Sequence, residues 1–69
     1  MKKYRTEMTV DGVPVKVRTV RTKRRGEFEI RKCVTEGWNV HAVVGGTPVF
    51  VAHYDTEEEC LKKIRGEAV

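Results

Sequence analysis

Apolar and polar residues alternate along most of this chain. Tyr4, Thr6, Met8 and Val10 alternate with Arg5, Glu7 and Thr9, the two-residue period of a strand with one buried face. Asp11-Gly12 follows, a pair that tolerates positive φ and so predicts a two-residue type I′ turn. In that register Val10 faces Val13, Met8 faces Val15 and Thr6 faces Val17 on one side. Glu7 then faces Lys16 and Arg5 faces Arg18 on the other. A second hairpin carries the pattern on: residues 22–25 form a loop closed by Arg21 and Gly26. Thr19 then meets Phe28, Val17 meets Ile30, and Arg18 meets Glu29 on the polar side. Val20 falls out of phase, which predicts a bulge or strand end there.

Trp38, Val40, Ala42 and Val44 open a third hairpin around Gly45-Gly46, with Val49 and Val51 continuing the Trp38 side. By alternation His41 and His53 fall on opposite faces, and His41, Val43, Phe50, Ala52 and Tyr54 lie opposite Trp38. Pro48 lacks a backbone donor and suits an edge strand. The chain closes with a helix. Asp55 or Thr56 caps it, Thr56 and Glu59 have capping-box spacing, and Glu57, Glu58 and Glu59 precede Lys62, Lys63 and Arg65 as the helix dipole favours. Leu61 and Ile64 form its apolar stripe, and Gly66 stops it. The fold class predicted is α+β: one domain over residues 1–69, a small five-stranded, mostly antiparallel sheet with one C-terminal helix on one face. The other face is left as a partner surface or dimer contact around Val43, Phe50 and Tyr54, or is buried by curling of the sheet.

Charge sharpens the picture. The 69 residues carry 14 Lys and Arg against 10 Asp and Glu, a net charge of +4. The excess lies in residues 1–32 and peaks at Arg21, Lys23, Arg24 and Arg25, the tip of the second hairpin. Backed by Lys16, Arg18 and Arg31, this cluster suits contacts to a DNA or RNA phosphate backbone, where arginine offers bidentate donors. The same residues also read as a solvated salt ladder, because Glu7 and Glu29 stand among them. Tyr4, Phe28 and Trp38 are core residues by phase, so stacking platforms for single-stranded bases are scarce.

Other chemistry is thin. Cys33, His41, His53 and Cys60 are zinc-ligand types without paired-knuckle spacing, Cys60 reads as a small core residue, and no metal or cofactor is expected. Cys33 and His41 lack a third orienting group, Gly45-Gly46 is a turn rather than a phosphate loop, and no enzymatic activity is expected. The chain shows no apolar run long enough for a membrane span and no signal-peptide h-region. It is expected in the cytoplasm with reduced thiols.

The run Gly37-Trp38-Asn39-Val40-His41-Ala42-Val43, with Asp55-Thr56-Glu57-Glu58-Glu59-Cys60-Leu61-Lys62-Lys63-Ile64, loosely resembles the strand and helix start of HicB-like antitoxin domains. The resemblance covers less than half the chain, and the sequence ends where that family continues with a further strand and helix. It implies a toxin-neutralising or other protein-binding role. Two functional expectations therefore stand. The first is a non-enzymatic nucleic-acid-binding module using the basic hairpin. The second is a small protein-interaction or inhibitor module, antitoxin-like or from a mobile element. It would use a sheet edge or the face of His41, Val43, Phe50 and Tyr54, a surface that also suits a homodimer.

Overall fold

The computed structural model describes residues 4–8 and 11–68. Five strands, β1 (Arg5–Met8), β2 (Pro14–Thr22), β3 (Gly26–Lys32), β4 (Trp38–Val44) and β5 (Thr47–Tyr54), are followed by one helix, α1 (Glu57–Arg65). The strands pair antiparallel in the order β1-β2-β3-β4-β5. This is the small α+β architecture that the alternation predicts.

Helix α1 is bounded by the signals in its sequence. Thr56 Oγ1 accepts from the Glu59 backbone N–H at 3.2 Å and donates to Glu59 Oε1 at 3.0 Å, so cap and third helical residue satisfy one another. Gly66 ends the helix at φ +80°, and the N–H groups of Gly66 and Glu67 return to the carbonyls of Lys63 and Lys62, using acceptors that would otherwise face water. The helix lays Cys60 and Ile64 on the sheet. With Ile30 and Val40 they form a fully buried cluster, and Val20, Phe28, Trp38, Tyr54 and Leu61 pack around it. Burial pushes the Cys60 thiol up to about 11, in keeping with a core residue. No helix among the described residues is long and apolar enough to cross a membrane.

Strand register departs from the sequence reading in three places. Met8 pairs with Pro14, Glu7 with Val15, Thr6 with Lys16 and Arg5 with Val17, one residue away from the expected ladder. Only glycines adopt positive φ among the described residues, so Asp11 does not supply the first half of a type I′ turn. Val10, expected to face Val13, lies outside the described residues.

In the second hairpin Thr22, not Arg21, pairs with Gly26. Thr22 Oγ1 accepts from the Arg25 N–H at 2.8 Å and Gly26 turns at φ +92°, which closes the loop around Lys23, Arg24 and Arg25 alone. A one-residue change moves every β2 side chain to the opposite face relative to β3. Val20 therefore joins Phe28 on the helix side, in phase, and no bulge is needed there. Val17, expected opposite Ile30, instead lies across from Arg31 and Arg5 on the outer face. It is still fully buried, between the cross-strand neighbours Arg5 and Arg31, whose stems carry apolar methylenes.

The third departure is a bulge in β5. His41 pairs with Phe50, yet Val40 pairs with Ala52, leaving Val51 as the extra residue. Beyond it the faces exchange. Tyr54 and Ala52 sit on the Trp38 side, and Tyr54 packs against the core cluster, not on the outer face with His41, Val43 and Phe50. His53 in turn joins His41 on the outer face, through Asn39.

Candidate functional site

The seven cations expected to form one phosphate-binding surface are divided by the register. Lys16 and Arg18 lie on the helix side; Arg21 and Arg31 lie on the outer side. Most have protein partners. Arg18 Nη1 stands 3.6 Å from Glu57 Oε2 at the helix start. Lys16 Nζ rests 5.9 Å from the Tyr4 ring centroid. Arg21 pairs with Glu27 at 3.0 Å, its cross-strand neighbour.

Arg31 belongs to an ion network on the outer face. Glu29, only 8% exposed, accepts from Arg5 Nη2 at 2.6 Å and from Arg31 Nη2 at 2.9 Å. Arg5 also donates to Glu7 at 2.8 Å and to Thr19 Oγ1 at 2.8 Å. Burial alone would raise the Glu29 carboxyl, but the hydrogen bonds from Arg31 and Arg5 outweigh it and leave it below its usual 4.5. The salt-ladder reading thus holds for Arg5, Glu7, Glu29 and Arg31, and not for Lys16 or Arg18.

His41 borders this network, directly across from Glu29 on β3 and from Phe50 on β5. Its ring meets Phe50 edge-on at 5.8 Å. Burial, then the Arg31 charge, hold it below its usual 6.5 against the pull of Glu29. Both groups bind protons more readily in the unfolded chain than in the folded one, so acid opposes folding. Stability is expected to fall as pH drops below about 6.5, where unfolded His41 begins to protonate. It should fall further below about 4.5, through Glu29. Thermal melts across pH 7 to 3 check this: Glu29→Gln should flatten the lower limb and, by removing the charge that opposes the His41 shift, deepen the upper one, and an unchanged lower limb would place the acid sensitivity elsewhere.

The residues left are those of the tip. Lys23, Arg24 and Arg25 are exposed, and among the described residues no carboxylate pairs with them. The folded chain adds a cation that sequence reading did not place here. Thr22, Lys23, Arg24 and Arg25 line an open cleft of about 480 Å³ together with Arg65 from the last turn of α1. A Cβ at Gly66 would come within 2.8 Å of Arg25 Nη1, so the Arg25 guanidinium lies across the helix C-terminus, where the partial negative charge of the helix favours a cation. Arg65 is held by Glu67 at 2.6 Å and Glu58 at 3.5 Å. No carboxylate lines the cleft itself. Chemically it is a set of guanidinium and ammonium donors beside a hydroxyl, open to solvent, suited to a polyvalent anion.

The thiols and imidazoles meet differently from expectation. Cys33 Sγ lies 3.6 Å from His53 Nδ1, not beside His41, and the same Nδ1 donates to Asn39 Oδ1 at 2.8 Å. A nitrogen already donating to the amide oxygen cannot also take a proton from the thiol, so this is not the relay that activates a cysteine nucleophile. No three His, Cys, Asp or Glu side chains among the described residues converge as metal ligands.

Of the expected protein-interface residues, His41, Val43 and Phe50 share the outer face and Tyr54 does not. No family model, curated protein or solved structure matches the chain.

Proposed function

We propose that this chain binds nucleic acid through the phosphate backbone, with the β2–β3 tip as the contact. The observation that supports it most is the persistence of three exposed cations, Lys23, Arg24 and Arg25, without carboxylate partners among the described residues. The neighbouring basic side chains, by contrast, are engaged with acids or an aromatic ring. Exposed cations at a hairpin turn reach a groove or strand with little desolvation cost, and each phosphate they neutralise releases a condensed counterion. Among the described residues no aromatic side chain lines the tip cleft, so the binding proposed is to backbone and shape rather than to sequence.

Counterion release makes the reading quantitative. Three contacts give a slope of log affinity against log salt of about −3 on duplex DNA, whereas all seven cations of the sequence reading would give about −6. Fluorescence anisotropy with labelled duplex DNA, single-stranded DNA and RNA over a salt series measures it. Arg24→Glu combined with Arg25→Glu is expected to abolish binding in a domain that stays folded, with a small drop in melting temperature because Arg25 also faces the negative end of α1. Binding that survives this double substitution, or no binding at low salt, would overturn the proposal.

A further inference from the structure

The basic tip does not stand alone at its end of the molecule. Arg65 is remote from it in sequence, yet the last turn of α1 brings Arg65 onto the cleft that Thr22, Lys23, Arg24 and Arg25 line. Gly66 makes the approach possible. Arg25 Nη1 stands 2.8 Å and Cζ 3.2 Å from the place a Cβ would take at Gly66. The residue after Arg65 thus leaves room for the Arg25 side chain against the helix end. A hairpin turn and a helix end form the two walls of one open cleft of about 480 Å³.

The acids beside Arg65 orient it without occupying it. Nε donates to Glu67 Oε2 at 2.6 Å, and Nη2 stands 3.5 Å from Glu58 Oε1. Among the described residues Nη1 has no carboxylate partner. A guanidinium presents several N–H donors in a planar fork, so an edge held by carboxylates leaves another for a phosphate. Both pairs are exposed, and exposed pairs compete only weakly with a polyvalent anion. Glu58 and Glu67 do not line the cleft. Residues 37–54, which include β4 and β5, contain no Asp or Glu, so no carboxylate approaches from that side of the sheet.

On the premise that the tip binds nucleic acid, we infer that Arg65 is a fourth phosphate contact, and that the backbone of the bound strand runs through the cleft from the β2–β3 turn onto the end of α1. Charge selects the occupant. Lys23, Arg24, Arg25 and Arg65 line the opening with the Thr22 hydroxyl and no acid, a match for successive phosphodiesters of one strand. Arg65 also changes what the contact does. Cations on a turn alone touch a backbone at one place. Cations on two elements fix the direction in which the strand crosses the protein, which is the part phosphate contacts play in setting register and orientation.

Fluorescence anisotropy over a salt series, with labelled duplex DNA, single-stranded DNA and RNA, tests this by comparing Arg65→Gln with Lys63→Gln. Each variant removes one positive charge from an exposed position in the last turn of α1. Residues two apart on a helix are turned about 200° from one another, and Lys63 does not line the cleft. Arg65→Gln should weaken binding about fivefold to tenfold at about 0.1 M salt. It should also make the slope of log affinity against log salt shallower by about 0.9 on duplex DNA, or about 0.7 on a single strand. Lys63→Gln should leave the slope unchanged, and Arg65→Lys, which keeps the charge, should hold the wild-type slope. Equal effects of Arg65→Gln and Lys63→Gln overturn the inference, and loss of binding in the Arg24→Glu, Arg25→Glu double variant then still supports the tip as the contact. A wild-type chain that binds none of the three probes at low salt overturns both.

Discussion

Gly37→Ala is expected to remove much of the stability of this domain. Gly37 sits at φ +85° immediately before β4, a conformation that costs a side-chain-bearing residue about 1–2 kcal/mol. Space adds a second penalty. A Cβ there would stand 2.6 Å from the Tyr54 carbonyl oxygen and 2.6 Å from His53 Nε2. The imidazole could swing away, but the carbonyl belongs to the backbone of β5 and moves only with the strand. Gly37 is also buried, and its own carbonyl accepts from the Cys33 N–H at 3.0 Å and Lys32 Nζ at 3.3 Å, so displacement would break the β3–β4 connection.

Gly26 provides the control. It has a similar φ of +92° with nothing within 4 Å of its Cβ position, so Gly26→Ala carries the conformational penalty alone. Urea unfolding should give a loss of about 1–2 kcal/mol for Gly26→Ala and at least about twice that for Gly37→Ala. A domain of this length holds only about 3–10 kcal/mol in total, so a Gly37→Ala chain with no cooperative transition left to fit counts as the larger loss. Equal losses at the two sites would mean that the Tyr54 carbonyl yields freely.

The elements of this fold are legible in the sequence because each has a local signal: alternation for the strands, Thr56, Glu59 and Gly66 for the helix. Which face each side chain takes is not local. β2 has apolar residues at both parities, Val15 and Val17 on one and Val20 on the other, so its pattern fits either face and the loop lengths decide. Those lengths depend on whether Asp11 takes positive φ and on whether Thr22 closes the turn through its side chain. The β5 bulge is silent for a similar reason: Val49-Phe50-Val51-Ala52 is apolar at every position, and an extra residue leaves the pattern unchanged.

The candidate site follows the same division. Lys23, Arg24 and Arg25 are visible as a cluster because they are adjacent in sequence. The pairing of Arg18 with Glu57, the Arg31–Glu29–Arg5 network and the approach of Arg65 to the tip all depend on register and on the path of the helix, which no neighbouring residue reports.

Register can be tested through the core. Ile30→Ala is expected to destabilise the domain by about 2–5 kcal/mol, the usual range for emptying a closed aliphatic site. Ile30 is fully buried beneath α1 with Val40, Cys60 and Ile64, and so small a core has few neighbours able to collapse into the space. Val17→Ala should cost less. Val17 is as deeply buried, but fewer atoms are removed and the side chains of its neighbours Arg5 and Arg31 can settle into the gap. The decisive quantity is the coupling between the two sites, measured in a double-mutant cycle with the milder Ile30→Val so that every variant stays folded. In the register that alternation alone suggests, Val17 faces Ile30 and the two changes share a cavity, which couples them by 1 kcal/mol or more at the order of magnitude seen for residues in contact. In the observed sheet Val17 lies across from Arg31 while Ile30 lies across from Arg18. The two aliphatic side chains are then separated by the sheet itself, and their effects should add to within about 0.5 kcal/mol. A larger coupling would return Val17 to the helix side and with it turn Arg18 away from Glu57 to the face of Glu29 and Arg31.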